Sequence, residues 1–118
     1  MNPIEIYGIS NKNLFEIAKL LFPDKKFTRI EHHKRLTYRL FYYNKIVHEF
    51  ELKTGDELLK EIIDSGYCGT AIIDKSKFNM FKLFEIDGKH AWWKENFEVG
   101  TIYECLIKAV VWIREQKK

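Results

Sequence analysis

Val99-Gly100-Thr101-Ile102-Tyr103-Glu104-Cys105-Leu106-Ile107-Lys108-Ala109-Val110-Val111-Trp112-Ile113-Arg114-Glu115 carries the clearest local signal in the chain. It reads as a helix. Gly100 lets the chain turn in, Thr101 caps the first turn, and Glu104 is placed to return a bond to the Thr101 backbone N–H, as in a capping box. At about 100° per residue, Ile102, Cys105, Leu106, Ala109, Val110 and Ile113 form one apolar stripe. Tyr103, Ile107, Val111 and Trp112 widen it past half the circumference, leaving Glu104, Lys108 and Glu115 as a polar edge. A helix this apolar needs cover on more than one side, from its own sheet and from a second body.

Working back from that helix, Thr54 with Glu57 opens another, running to Ser65-Gly66 with Leu58, Leu59, Ile62 and Ile63 on one face. Between the two helices, strands are expected at Gly69–Asp74, Phe78–Asp87 and His90–Phe97, with Asp87-Gly88 as a hairpin turn. Phe84 and Ile86 take one face of these strands, Phe81 and Leu83 the other, and the adjacent Trp92 and Trp93 must point oppositely. Apolar residues at both parities imply a sheet covered on both sides.

The first half reads as a helix from Asn13 to Phe22, capped by Ser10 and ended by Pro23, with Leu14, Ile17, Ala18 and Leu21 inward. Phe27 to His32 is a weak strand or an extended lead-in, and His32-His33-Lys34 a solvated connection. Two alternating segments then form a hairpin. A three-residue loop at Tyr43-Asn44-Lys45, with Asn44 left-handed, sets Tyr42 opposite Ile46, Leu40 opposite His48, Tyr38 opposite Phe50 and Leu36 opposite Leu52, and pairs Arg39 with Glu49 on the other face. A two-residue loop would shift this register by one.

The 118 residues suit a single domain, 1–118. Its 46% hydrophobic and 15% aromatic content argues for a packed core rather than disorder. A formal charge of only +3 is far from what a dedicated duplex-DNA binder carries. Neither a leader-like amino terminus nor a long apolar run is present, so a soluble, cytoplasmic protein is expected. Cys68 and Cys105 are expected as reduced structural thiols. These readings combine into an α+β fold: an antiparallel sheet with helices packed on both faces, a three-layer α/β/α sandwich.

Trp92-Trp93, Gly100-Thr101 and Glu104-Cys105-Leu106-Ile107-Lys108-Ala109-Val110, preceded by the Thr54 helix, give the second half a pattern that resembles the phage ABA-sandwich family. The resemblance implies a helix, sheet, helix layering and a phage or prophage origin. It carries over no catalytic residue, and the Arg/Tyr-rich first half lies outside it.

No recognised metal-ligand spacing joins His32, His33, His48, His90, Cys68 and Cys105, and no metal or cofactor is expected. Cys68 has no nearby base to activate it, and Glu49 and Glu51 are better explained by pairing with Arg39 than by acid/base work. Two binding surfaces are candidates. Arg35, Arg39 and Tyr43 interleave cations with aromatics, as stacking on a base and pairing with a phosphate require, unless Phe41 packs under a helix and the arginines are a solvated edge. Trp93 with Lys94 offers an interface anchor. Tyr103, Ile107 and Val111 form the strip expected to join copies into a homodimer or larger homo-oligomer. The function expected is that of a non-enzymatic, phage- or prophage-encoded accessory factor that binds a host macromolecule, with a host protein as the expected partner and inhibition of host defence as the narrower expectation. The competing class is a module that sequesters a nucleotide or single-stranded nucleic acid.

Overall fold

The computed structural model describes residues 11–73, 79–99 and 101–117. In chain order these form α1 (Asn11–Leu21), β1 (Arg29–Lys34), β2 (Thr37–Tyr42), β3 (Lys45–Glu51), α2 (Gly55–Asp64), β4 (Tyr67–Ile73), β5 (Asn79–Asp87), β6 (His90–Val99) and α3 (Ile102–Gln116). The class is α+β and every strand pair is antiparallel, but the strands make two three-stranded sheets, β1-β2-β3 and β4-β5-β6. The chain divides into two compact units, one ending at Lys53 and the other beginning at Thr54. Ser10, Asp74, Phe78 and Gly100, to which a cap, two strand ends and a turn were assigned above, lie outside the described residues.

In the first unit, Leu14, Ile17 and Ala18 are buried as the inner face of α1, and the Phe22 N–H still bonds the Ala18 carbonyl at 2.9 Å before Pro23 turns the chain. The Phe22 ring then meets His48 and Phe50 edge-on, at 4.6 and 4.9 Å between centroids. Those two side chains share a sheet face with Tyr38 and Leu40 of the central strand, both fully buried. Leu40 opposite His48, Tyr38 opposite Phe50 and Arg39 opposite Glu49 are as the alternation predicts.

The turn differs. Tyr42 pairs with Lys45, so the loop has two residues, and Tyr43 rather than Asn44 takes positive φ, at 54°. The register survives because a bulge between Leu40 and Phe41 absorbs Val47 as an extra residue on β3, cancelling the one-residue shift. His32-His33-Lys34 is likewise not a connection. It belongs to β1, with His33 bulged, and the reversal falls at Arg35, whose φ is 48°.

The second unit opens on a complete capping box. The Glu57 N–H donates to Thr54 Oγ1 at 3.2 Å, and the Thr54 N–H donates to Glu57 Oε1 at 2.9 Å. Leu58 and Ile62 are buried, whereas Leu59 and Ile63 are exposed, so the inner stripe of α2 is narrower than its four apolar residues suggest. Helix α3 lies against β5 and β6, and α2 lies against β4 and α3. Two helices that touch each other and the sheet occupy one face of it, where Phe81, Leu83 and Tyr67 are buried. Arg114 ties the helices together, donating from Nε and Nη2 to the two Glu61 carboxylate oxygens at 2.8 Å each.

Helix α3 is capped by Thr101, whose hydroxyl oxygen accepts the Glu104 N–H at 3.2 Å. The Glu104 carboxylate accepts the proton of that same hydroxyl, at 3.1 Å, in place of the predicted bond to the Thr101 backbone. Glu104 is also buried rather than part of a polar edge. Its charge lies in the first helical turn, where the helix dipole favours an anion.

Candidate interaction surfaces

The first unit presents the sheet face opposite its buried one. Its cross-strand rows are Arg29, Phe41 and Ile46, then Glu31, Arg39 and Glu49. Arg39 donates from Nε to Glu49 Oε2 at 2.8 Å, and its Nη2 lies 3.2 Å from His33 Nε2. That hydrogen bond, with the nearby cationic field, holds the Glu49 carboxyl below its usual range against a smaller opposing effect of desolvation. Arg29 stacks its guanidinium 4.3 Å over the Phe41 ring, donates to the Tyr43 carbonyl oxygen, and bonds Glu31 Oε1 at 3.3 Å.

The sequence-predicted trio does not converge. Arg35 sits in the β1–β2 reversal and Tyr43 in the β2–β3 turn, at opposite ends of β2. Eight residues of extended chain separate them by about 25 Å. Arg39 lies between them and is engaged by Glu49 and His33. The aromatic-cation contact on this face belongs instead to Arg29 and Phe41, which the alternation of Arg35 to Tyr42 did not reveal, because Arg29 reaches Phe41 only through β1–β2 pairing.

The second unit presents a different surface. Pairing sets Ile86 beside Ala91; Cys68, Phe84 and Trp93 in the next row; then Thr70, Lys82 and Asn96; then Ile72, Met80 and Glu98. This is the face away from the helices. It is open to solvent: Trp93 is 57% exposed, Ile86 45% and Ile72 38%. Expected two-sided cover is therefore missing here, and neither member of the Trp pair is core, since Trp92 on the opposite face is 56% exposed. Phe84 and Met80 are half-buried between these residues. A bulge between Leu83 and Phe84 makes Lys94 the extra residue of β6 and brings Trp93 onto the same face as Asn96. The Trp93 indole N–H then donates to Asn96 Oδ1 at 2.8 Å, so its polar handle is satisfied within the chain while its ring stays exposed. Lys94 does not join Trp93; its Nζ lies 3.8 Å from Glu85 Oε1.

The α3 strip is covered by its own chain. Tyr103 is 6% exposed and Ile107 2%, with Val111 half-buried. The unsatisfied surface on which the expected oligomer contact rested is therefore absent there. Its cover comes from packing against α2, β5 and β6, a long-range arrangement that helical periodicity does not encode.

Among the described residues, no group of three or more His, Cys, Asp or Glu side chains comes close enough to hold a metal ion. No described helix is long and apolar enough to cross a membrane. Comparison of the chain with protein-family models, with characterised proteins and with solved structures returns no match. The functional reading accordingly stands on the residues themselves.

Proposed function

We propose that this is a non-enzymatic binding protein, and that the open face of the β4-β5-β6 sheet receives an amphipathic helix of a partner protein. The observation that carries the reading is the run of exposed or half-buried apolar side chains on that face: Ile72, Met80, Phe84, Ile86 and Trp93. Scattered apolar surface residues need no explanation, but here they gather on one face in two groups, Ile86 with Phe84 and Trp93 and Ile72 with Met80, on either side of the polar row Thr70, Lys82 and Asn96, and such clustering marks an interaction site. Its one lysine and one glutamate, Lys82 and Glu98, leave no net field to attract a phosphate backbone.

Size selects the occupant. Three strands span about 14 Å and seven residues about 23 Å, a footprint of roughly 320 Å². A single helix, about 10–12 Å across, matches the width of the face and runs about four turns along its length. The partner helix would then form the third layer of an α/β/α sandwich. The narrower reading, a phage factor acting on a host-defence protein, is supported by the family resemblance alone.

Affinity capture from lysate of the source cells tests the proposal. A protein partner retained by the wild type should be lost with Ile86→Glu and with Trp93→Glu, and kept by Arg39→Ala, all three variants melting cooperatively. Retention indifferent to both apolar substitutions would refute the assigned face. Stabilisation of the wild type by nucleotides or short oligonucleotides in a thermal-shift screen would favour the competing class instead.

A further inference from the structure

We infer a second, independent docking site in the first unit: a groove between α1 and the outer edge of β1 that takes an extended, acidic peptide segment as a fourth strand. The groove is a shallow, open depression of about 610 Å³, lined by Lys12 and Phe15 of the helix and by the extended run from Thr28, just ahead of β1, to His32 within it. Side chains of consecutive strand residues alternate between the two sheet faces, so five in a row can line one groove only along the strand's edge. Among the described residues the strand order places β1 at the margin of its sheet, paired with β2 and with no other strand. On its other side every second residue directs its N–H and C=O outward, the template that strand addition uses.

The chemistry of the walls selects the segment. Ile30 and Phe15, both half-buried, give an apolar floor for alternate side chains, and Phe15 is held there by an edge-on contact with Phe27 at 5.0 Å between centroids. The one acidic wall residue, Glu31, is paired with Arg29 at 3.3 Å. Lys12 on one wall and Lys34-Arg35 beyond the end of the groove add exposed positive charge. An incoming strand with carboxylates on its outward side and aliphatic residues on its inward side complements both features. Charged residues also guard edge strands against indiscriminate pairing, which restricts the site to a segment of opposite charge.

Backbone amide NMR of the full chain provides the test, with three blocked hexapeptides as probes: alternating Val-Glu, alternating Val-Lys, and the Val-Glu peptide with proline at both central positions, so that one of them falls where an N–H must face β1. The Val-Glu peptide should shift the amides of Thr28 to His32 with those of Lys12 and Phe15, the Val-Lys peptide should bind more weakly, and the proline should abolish binding by removing a ladder donor. Lys12→Glu, at an exposed helix position, should weaken Val-Glu binding about three- to tenfold. No shifts at millimolar peptide, equal binding of both charges, tolerance of the proline, or shifts confined to β4-β5-β6 would each overturn the inference. The site lies in a different unit from the open sheet face, so Ile86→Glu should leave these shifts unchanged.

Discussion

Gly69→Ala should destabilise the second unit, for a steric rather than a conformational reason. A Cβ built at Gly69 would lie 2.0 Å from Phe81 Cζ and within 2.7 Å of both ring Cε atoms. Gly69 pairs with Leu83 on the edge strand β4, and Phe81, two residues along β5 on the same face, lays its ring diagonally across the gap that the missing side chain leaves. Phe81 is buried beneath the helices and has nowhere to retreat without leaving its packing. Overpacking of this kind costs about 1–3 kcal/mol, while the lower backbone entropy of alanine returns roughly 0.5–1 kcal/mol. The difference spans about 0–2.5 kcal/mol, and a 2.0 Å approach to a ring that cannot retreat puts the net loss in the upper half of it. In a unit this small each kcal/mol corresponds to about 4–8 °C in Tm, so calorimetry should record a fall of several degrees. A double-mutant cycle isolates the cause: in a Phe81→Leu background the alanine should cost little. A Gly69→Ala protein as stable as wild type, or a penalty undiminished by Phe81→Leu, would refute the contact.

Tyr38→Phe should leave stability unchanged or raise it by about 1 kcal/mol in urea titration, because the buried Tyr38 hydroxyl has no hydrogen-bond partner among the described residues to offset its desolvation. Burial raises the Tyr38 phenol above its ordinary range, and burial with the neighbouring Glu85 raises Tyr67 as well. The unfolded chain therefore ionises first, and the protection these neutral phenols give, complete below about pH 10, should fade as pH rises further, less so in Tyr38→Phe. Glu61→Gln should loosen α2 from α3 by about 1 kcal/mol, read as faster amide exchange in α2, since it breaks a two-pronged pair with Arg114. Thr54→Ala and Thr101→Ala should each lower stability by about 1 kcal/mol through loss of a helix cap, measured by chemical denaturation.

Local chemistry was legible in the chain. Thr54 and Glu57 announce a capping box three residues apart, and both of its bonds form. Arg39 and Glu49 were paired by alternation alone, and they meet at 2.8 Å. Beyond the bulge the expected register holds, while next to the turn it does not, Ile46 meeting Phe41 rather than Tyr42; burying Tyr38, Leu40, His48 and Phe50 on one face determines the parity, and a bulge accommodates the loop length that results. The partition into two sheets was not legible. Hairpin pairing is local, whereas alternation says nothing about which hairpins join.

The same limit governed the sites. Alternation shows which strand residues share a face, but cover for that face comes from elements elsewhere in the chain. Apolar residues at both parities of β5 and β6 therefore read as two-sided burial, when one side holds Phe81 and Leu83 beneath two helices and the other holds Ile86 and Trp93 in solvent. The converse error arose in α3, where Tyr103 and Ile107 seemed to want a partner and find one within the chain. Both errors come from one ambiguity: an apolar side chain has the same pattern whether its own fold or another molecule covers it. Geometry separates the cases. The α3 strip is already largely desolvated, so a second copy would gain little there, whereas each large apolar residue still exposed on the β4-β5-β6 face retains about half of the roughly 1.5–3 kcal/mol that full burial of such a side chain is worth. Leu59 and Ile63 on α2 and Trp92 on the other face are exposed as well, but Ile72, Ile86 and Trp93 share one face, so a single docking event could bury them together.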